Sequence, residues 1–395
     1  APLLTLAGAA TTVVAPLLLD PARFGDYVLL LSLFQYAGAF DLGLSQLADR
    51  VLMGRGAGAE RVVDLVWSRV VVAACTLLLA VPLAFALAQP EGELTAGSLF
   101  LAAFGGVAFM LSNGPVALYR AGLRVWELTF AALLMQAGLS VPRLAGHALG
   151  GVAGCFAVLG AFYGATAALL NQPFAAALRR RSSARAVART LRAASPLFAF
   201  NALWLLYLMA SRWISSALSD AVGLGLFAFG ANLVAAGIGV LSTVGQVHYP
   251  KHLALAGEGG AQARLGRELL CLLGVAAVGT LAGVLACRYA VPALFPKFAA
   301  AAEPSAALMA SGIPLGLVGW LMPLVVAISR RPWRDAGMVF SASIAVLGVA
   351  MAVGDALGGI LGQAWGCVLA SLVPGVMQVA LLARGGMLGR ARTAG

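Results

Sequence analysis

The chain has 395 residues, 61% of them hydrophobic and 10% charged, with a formal net charge of +11 and a mean hydropathy of +0.94. A soluble domain carries roughly a quarter charged residues, so the composition excludes water as the main solvent and implies lipid. The arginines lie between apolar runs and no basic stretch is interleaved with aromatics, so nucleic acid is not expected as a partner.

Apolar stretches of about 17–25 residues read as membrane spans. In chain order they fall near 2–19, 27–48, 66–88, 98–118, 127–145, 150–172, 196–217, 224–247, 269–288, 305–328, 336–353 and 360–383. Only Gly146 to Leu149 divides the fifth from the sixth. The sequence opens on Ala1 rather than Met, so preceding residues are expected, and it shows no signal-peptide pattern.

Twelve spans make the loop charges alternate. The even-span loops hold Arg50, Arg55 and Arg61, then Arg120 and Arg124, then the arginines from Arg179 to Arg192. Later ones hold Lys251, Arg264 and Arg267, then Arg330, Arg331 and Arg334, and the tail holds Arg384, Arg390 and Arg392. The odd-span loops hold Arg23 and Lys297, with Arg143 and Arg288 at span ends, and one reads "QPEGELTAGS". Basic loops remain in the cytosol, so both termini are expected there.

The longest basic loop divides the chain into a six-helix lobe at 1–178, a linker at 179–195 and a second six-helix lobe at 196–395. In "RRRSSARAVARTLRAAS" the residues Ala184, Val187, Ala188 and Leu191 recur at helical spacing opposite the arginines. One reading is a short helix on the inner leaflet, attracted to anionic lipid by about 1 kcal/mol per arginine. The other is a solvated linker that only obeys the charge rule. The halves look related: Asp20, Gly25 and Tyr27 match Asp220, Gly225 and Phe227 at an offset of 200. Six-plus-six parallel repeats are a transporter architecture.

The stretch "LLDPARFGDYVLLLSLFQYAGAFDLGLSQLADR" resembles the polysaccharide-exporter branch of the multidrug/oligosaccharidyl-lipid/polysaccharide flippase superfamily. The matching positions are Phe24, Gly25 and Tyr27 of an F-G-x-Y loop, Asp41, Gly43 and Ser45 of a D-x-G-x-S-like signature, and Arg50. The segment from Ser195 to Leu233 is similar to the family's seventh and eighth spans, and Pro250 falls where the family often has a proline. One departure stands out. Many relatives place an acidic residue before the basic one late in the seventh span, where this chain has Ser211 and Arg212. The resemblance implies an all-α, MATE-like membrane protein of two six-helix lobes. It also implies a cargo, a polyprenyl-diphosphate-linked oligosaccharide flipped across the bacterial inner (plasma) membrane, with a coupling cation or proton as a further partner.

Charges inside spans are expensive and are functional candidates by default. Asp41 reads as a gate or ion-coupling site near the inner mouth, or as a polar helix contact. Arg212 reads as a ligand for the diphosphate, since a guanidinium offers paired donors to phosphate, or as a side chain snorkelling to the outer headgroups. Arg143 and Arg288 are further substrate-binding candidates nearer the interface, where snorkelling competes. His147 is a candidate proton sensor or a polar interface residue.

The remaining motifs read as structural. The cysteines at 75, 155, 271, 287 and 367 form no C-x-x-C and read as small hydrophobes. His248 and His252 stand four apart, but Pro250 intervenes and no carboxylate is near, so no metal is expected. "GEGG" at 257–260 lacks the G-K-[ST] of a phosphate loop. No nucleophile–base arrangement suggests catalysis, and no cofactor is expected.

Three alternatives stay open on the residues: a drug/cation antiporter of the same superfamily, a major-facilitator carrier suggested by "LADRVLMGRG", and a membrane glycan polymerase or ligase. The major-facilitator loop has the wrong spacing after Arg50. The outer loop "RYAVPALFPKFAAAAEP" is short for a polymerase.

Overall fold

The computed structural model describes residues 14–52, 59–88, 92–121, 124–138, 140–255, 261–329 and 331–384. Most of the expected first span, Arg55, the 257–260 loop, Arg330, Arg390 and Arg392 lie outside the described residues, as do the side chains of Arg50, His248, Pro250, Lys251, His252 and Arg264. Every regular element among the described residues is helical. In lipid an apolar segment has no water to satisfy its main chain, so each must close its own hydrogen bonds.

The helices are α1 (Pro21–Ala39), α2 (Leu44–Leu52), α3 (Ala59–Leu87), α4 (Ala96–Ala121), α5 (Val125–Gly138) and α6 (Val141–Asn171). After a short 3-10 turn come α7 (Ala175–Arg179), α8 (Ala184–Leu218), α9 (Ala221–Leu255) and α10 (Ala261–Leu294). A second 3-10 segment, Pro296–Ala301, leads to α11 (Ala302–Met309), α12 (Gly312–Ile328) and α13 (Pro332–Arg384).

Eight helical stretches among the described residues are long and apolar enough to cross a membrane, and a ninth crossing is the bent pair of Pro296–Met309 and Gly312–Val326. Two of the eight are too long for one crossing. The 53 residues of α13 would reach about 80 Å at 1.5 Å per residue, against a hydrocarbon core of about 30 Å. Each is folded at a glycine pair. Gly151 (φ +63°, ψ −143°) and Gly359 (φ +56°, ψ −138°) occupy a region that side chains all but forbid.

The arms then run back along each other. The Tyr163 hydroxyl donates to the Met135 carbonyl at 2.8 Å, and a Cβ on Gly146 would lie 2.5 Å from the Cys155 Cα. In α13, Gly354 lies against Gly362 and Gly366 against Ala350. Small residues here permit backbone contact without side chains between. Taking each folded stretch as two crossings brings the described crossings to eleven, with the expected first span largely outside the described residues.

The chain divides into two compact units. One comprises 1–19 and 26–202, the other 20–25 and 203–395. In the first, the rings of Phe34, Phe109, Phe156 and Tyr163 pack with centroids 5.0–6.5 Å apart. A second cluster joins Leu44 and Ala48 of α2 to Leu191 and Ala194 of α8. The basic segment runs on without a break as α8 into the seventh span; Leu191 and Ala194 pack into this cluster, while Ala184 and Ala188 of its apolar stripe are exposed.

In the second unit, Phe24 is 1% exposed and packs with Phe229 and Phe298, the three centroids 5.0–6.4 Å apart. Asp20 and Asp220, the pair seen at an offset of 200, both cap helices. Asp20 Oδ1 accepts from the Arg23 amide at 3.0 Å, and Asp220 Oδ1 from the Gly223 amide at 2.7 Å. Their partners in the repeat touch: a Cβ on Gly25 would lie 3.1 Å from the Gly225 amide nitrogen and 3.0 Å from the Ala221 carbonyl oxygen.

Candidate functional site

Asp41 does not lie within a continuous helix. The second span breaks at residues 40–43, between α1 and α2, with Leu42 at φ +50° and Gly43 at φ +80°. Asp41 Oδ1 accepts from the Gly43 amide at 2.9 Å, and Oδ2 from the Ser45 amide at 3.0 Å. The carboxylate thus satisfies the opening donors of α2, which solves the problem of an interrupted helix in a membrane. Gly43 is also pressed against the Ala194 carbonyl, where a Cβ would not fit. This is what the D-x-G-x-S spacing encodes locally: cap, close approach and, through Ser45, a side-chain contact.

That contact is with Arg69, a residue the sequence reading passed over. Arg69 lies on α3, is 5% exposed, and donates from Nη2 to Ser45 Oγ at 2.9 Å. Its guanidinium covers Gly114 of α4 and sits in the field of Asp41 and Asp49. Asp49 in turn receives two hydrogen bonds from Arg120, at 3.0 and 2.6 Å. The sequence signal was present: Arg69 stands inside the run from Leu65 to Leu87, but close enough to its end to pass as an interfacial charge.

Arg143 is 8% exposed, just past the break between α5 and α6. It does not snorkel. Its guanidinium lies close enough to Tyr27, His147, Cys155 and Tyr163 to act on them electrostatically. Tyr27 is 3% exposed, and its ring meets that of His147 edge-on at 5.0 Å and that of Phe156 at 5.9 Å. Two expected site residues, Arg143 and His147, are thereby brought together with the tyrosine of the F-G-x-Y loop. Among the described residues no ion pair joins Arg143 to a carboxylate.

Arg212 is 6% exposed in the second unit, and its Nη2 donates to Asn232 Oδ1 of α9 at 2.7 Å. It too is buried rather than reaching for headgroups. Arg288 differs: it is exposed and pairs with Glu303 at 3.2 Å, an ordinary surface contact. One turn of α8 beyond Arg212, the Ser215 hydroxyl donates to Gln363 Oε1 at 2.8 Å. Gln363 Nε2 donates to Ser219 Oγ at 2.6 Å and to Asp355 Oδ1 at 2.8 Å. Asp355 and Gln363 occupy in "DALGGILGQ" the positions that His147 and Cys155 occupy in "HALGGVAGC". This second internal repeat was legible in the sequence and marks the two folded turns.

The buried charged side chains among the described residues are Arg69, Arg143 and Arg212, with no carboxylate among them. No group of metal-ligating side chains occurs among the described residues.

The chain resembles the inward-facing conformation of a multidrug resistance MATE family transporter of the MOP superfamily, with a TM-score of 0.76 at 15% identity, covering 99% of this chain and 96% of that one. Its fold is the MATE fold. An outward-facing MATE transporter of the same superfamily gives 0.69 at 14% identity, covering 98% of this chain and 93% of that one. A MOP superfamily transporter from Pyrococcus furiosus, described as having a binding pocket of reverse polarity that suggests a different function, gives 0.68 at 15% identity, covering 98% and 94%. No protein-family model and no curated protein matches the chain. The MATE fold speaks against the major-facilitator alternative.

Proposed function

We propose that this protein is an alternating-access flippase that moves a polyprenyl-diphosphate-linked oligosaccharide across a bacterial plasma membrane. The observation that carries the reading is the sign of the buried charge: three arginines and no carboxylate among the described residues. The polyprenyl tail can stay in lipid and the sugars in water. The diphosphate needs countercharge wherever the dielectric is low, because an unpaired ion there is costly. A cationic drug would need the opposite sign.

Arg143 fits the diphosphate best. Its charge acts on a phenol, an imidazole and a thiol, and no ion pair joins it to a carboxylate among the described residues, so phosphate oxygens would supply the missing anion. Arg212, hydrogen-bonded to Asn232, is the corresponding candidate in the second unit. The F-G-x-Y and D-x-G-x-S-like motifs support the same branch of the superfamily.

The test is reconstitution into liposomes with a fluorescent polyprenyl-diphosphate oligosaccharide, read by quenching of the exposed leaflet. Transfer between leaflets is expected in the parent and strongly reduced in Arg143→Glu at matched protein content. Efflux of a cationic dye without transfer of the lipid would reverse the assignment.

A further inference from the structure

The first unit holds a groove of about 460 Å³ between α2, α3 and the start of α8. One face of α8, recurring as Ala186, Arg189, Thr190 and Ala193, forms one wall, and Leu47, Val51, Arg61 and Leu65 line the rest. Arg61 and Arg189 make no ion pair among the described residues, although Asp64 lines the same groove. Asp64 is engaged otherwise, accepting from the Ser182 hydroxyl at 2.6 Å. The loop before α8 is tied down as well, because the Trp67 indole donates to the Arg180 carbonyl at 2.8 Å.

We propose that this groove is a binding site for one anionic phospholipid of the inner leaflet. Arg61, Arg189 and the Thr190 hydroxyl hold its phosphate, and the aliphatic lining receives the start of its acyl chains. The chemistry of the lining is the argument. Two guanidiniums offer planar forks to phosphate oxygens, while Leu47, Leu65 and Ala193 are suited to hydrocarbon rather than to a soluble anion. The surrounding charge adds to it. Arg179, Arg180, Arg181 and Arg185 precede the α8 wall of the groove in the chain, and such clusters are expected to face the leaflet that carries anionic lipid. The occupant would brace α8 against α2 and α3. The proposal does not depend on what the cargo is.

The test uses the full-length protein in detergent, titrated with short-chain phosphatidylglycerol or phosphatidylcholine and read by thermal unfolding. Phosphatidylglycerol should raise the melting temperature, and Arg61→Gln combined with Arg189→Gln should weaken this at least about tenfold. Arg181→Gln combined with Arg185→Gln removes the same charge outside the groove lining and should weaken the titration far less. Equal loss in both double variants would mean diffuse attraction and overturn the site. Equal stabilisation by phosphatidylcholine, or displacement of the lipid by micromolar inorganic diphosphate, would overturn the assigned occupant. If the double variant shows no cooperative transition, Arg189→Lys decides: it keeps the charge but loses the fork, and unchanged affinity would overturn the proposed contact.

Discussion

Arg69 and Ser45, on neighbouring helices of the first unit, are joined by a 2.9 Å hydrogen bond from a guanidinium buried to 5% exposure. The bond holds α3 against the helix that Asp41 caps, so one buried cation and one capping acid stabilise the same break. Arg69→Met should cost about 1.5–3 kcal/mol, the scale of a hydrogen bond to a charged group. A lowered melting temperature in detergent is the expected reading. Arg69→Lys should recover part of the loss, because charge returns without the second donor arm.

Asp41 gives a sharper result. Both its oxygens accept from main-chain amides, and asparagine can keep only one of these bonds because its NH2 is a donor. Asp41→Asn should therefore retain transport per protein with somewhat lower membrane abundance, while Asp41→Ala should lose both bonds and about 1 kcal/mol or more. Transport per protein lost in the Asn variant would instead give Asp41 the gating or ion-coupling role.

The two folded turns make a paired prediction. Gly151→Ala and Gly359→Ala each force a side chain into a backbone region that costs about 1–3 kcal/mol. Both should reduce membrane abundance by similar amounts. Gly150→Ala should be milder, since Gly150 is extended at φ −162° and has open space around it.

Orientation can be tested by cysteine labelling after replacement of the native cysteines, of which Cys75 and Cys271 are exposed. A cysteine at Gly97, exposed in the first turn of α4 just after the acidic loop, should react with an impermeant thiol reagent in intact cells. One at Arg181 should not. Labelling at Arg181 would contradict the assignment of the basic loops to the cytosol.

Much of the fold was legible because lipid punishes any unpaired main-chain group, so apolar length and loop charge reveal spans directly. The site was less legible, since sequence gives the depth of a charge but not its neighbours. Arg143 and Arg288 looked alike as span-end arginines. The first turned inward to Tyr27, while the second met Glu303 on the surface. Asp41 looked like a charge inside a helix because the break at 40–43 is only four residues long and its glycine is common in spans. Arg69 was missed for the opposite reason: it stands where a snorkelling arginine would, yet Gly114 leaves room for it in the interior.

If buried guanidiniums carry a lipid diphosphate between leaflets, cells lacking this protein should show it in the leaflet distribution of their lipid-linked oligosaccharide. The oligosaccharide should accumulate on the inner leaflet and be cleared by the parent chain, partly by Arg143→Lys, and not by Arg143→Glu at equal abundance. An unchanged distribution in the deletion strain, or full clearance by Arg143→Glu, would contradict this role of the guanidiniums.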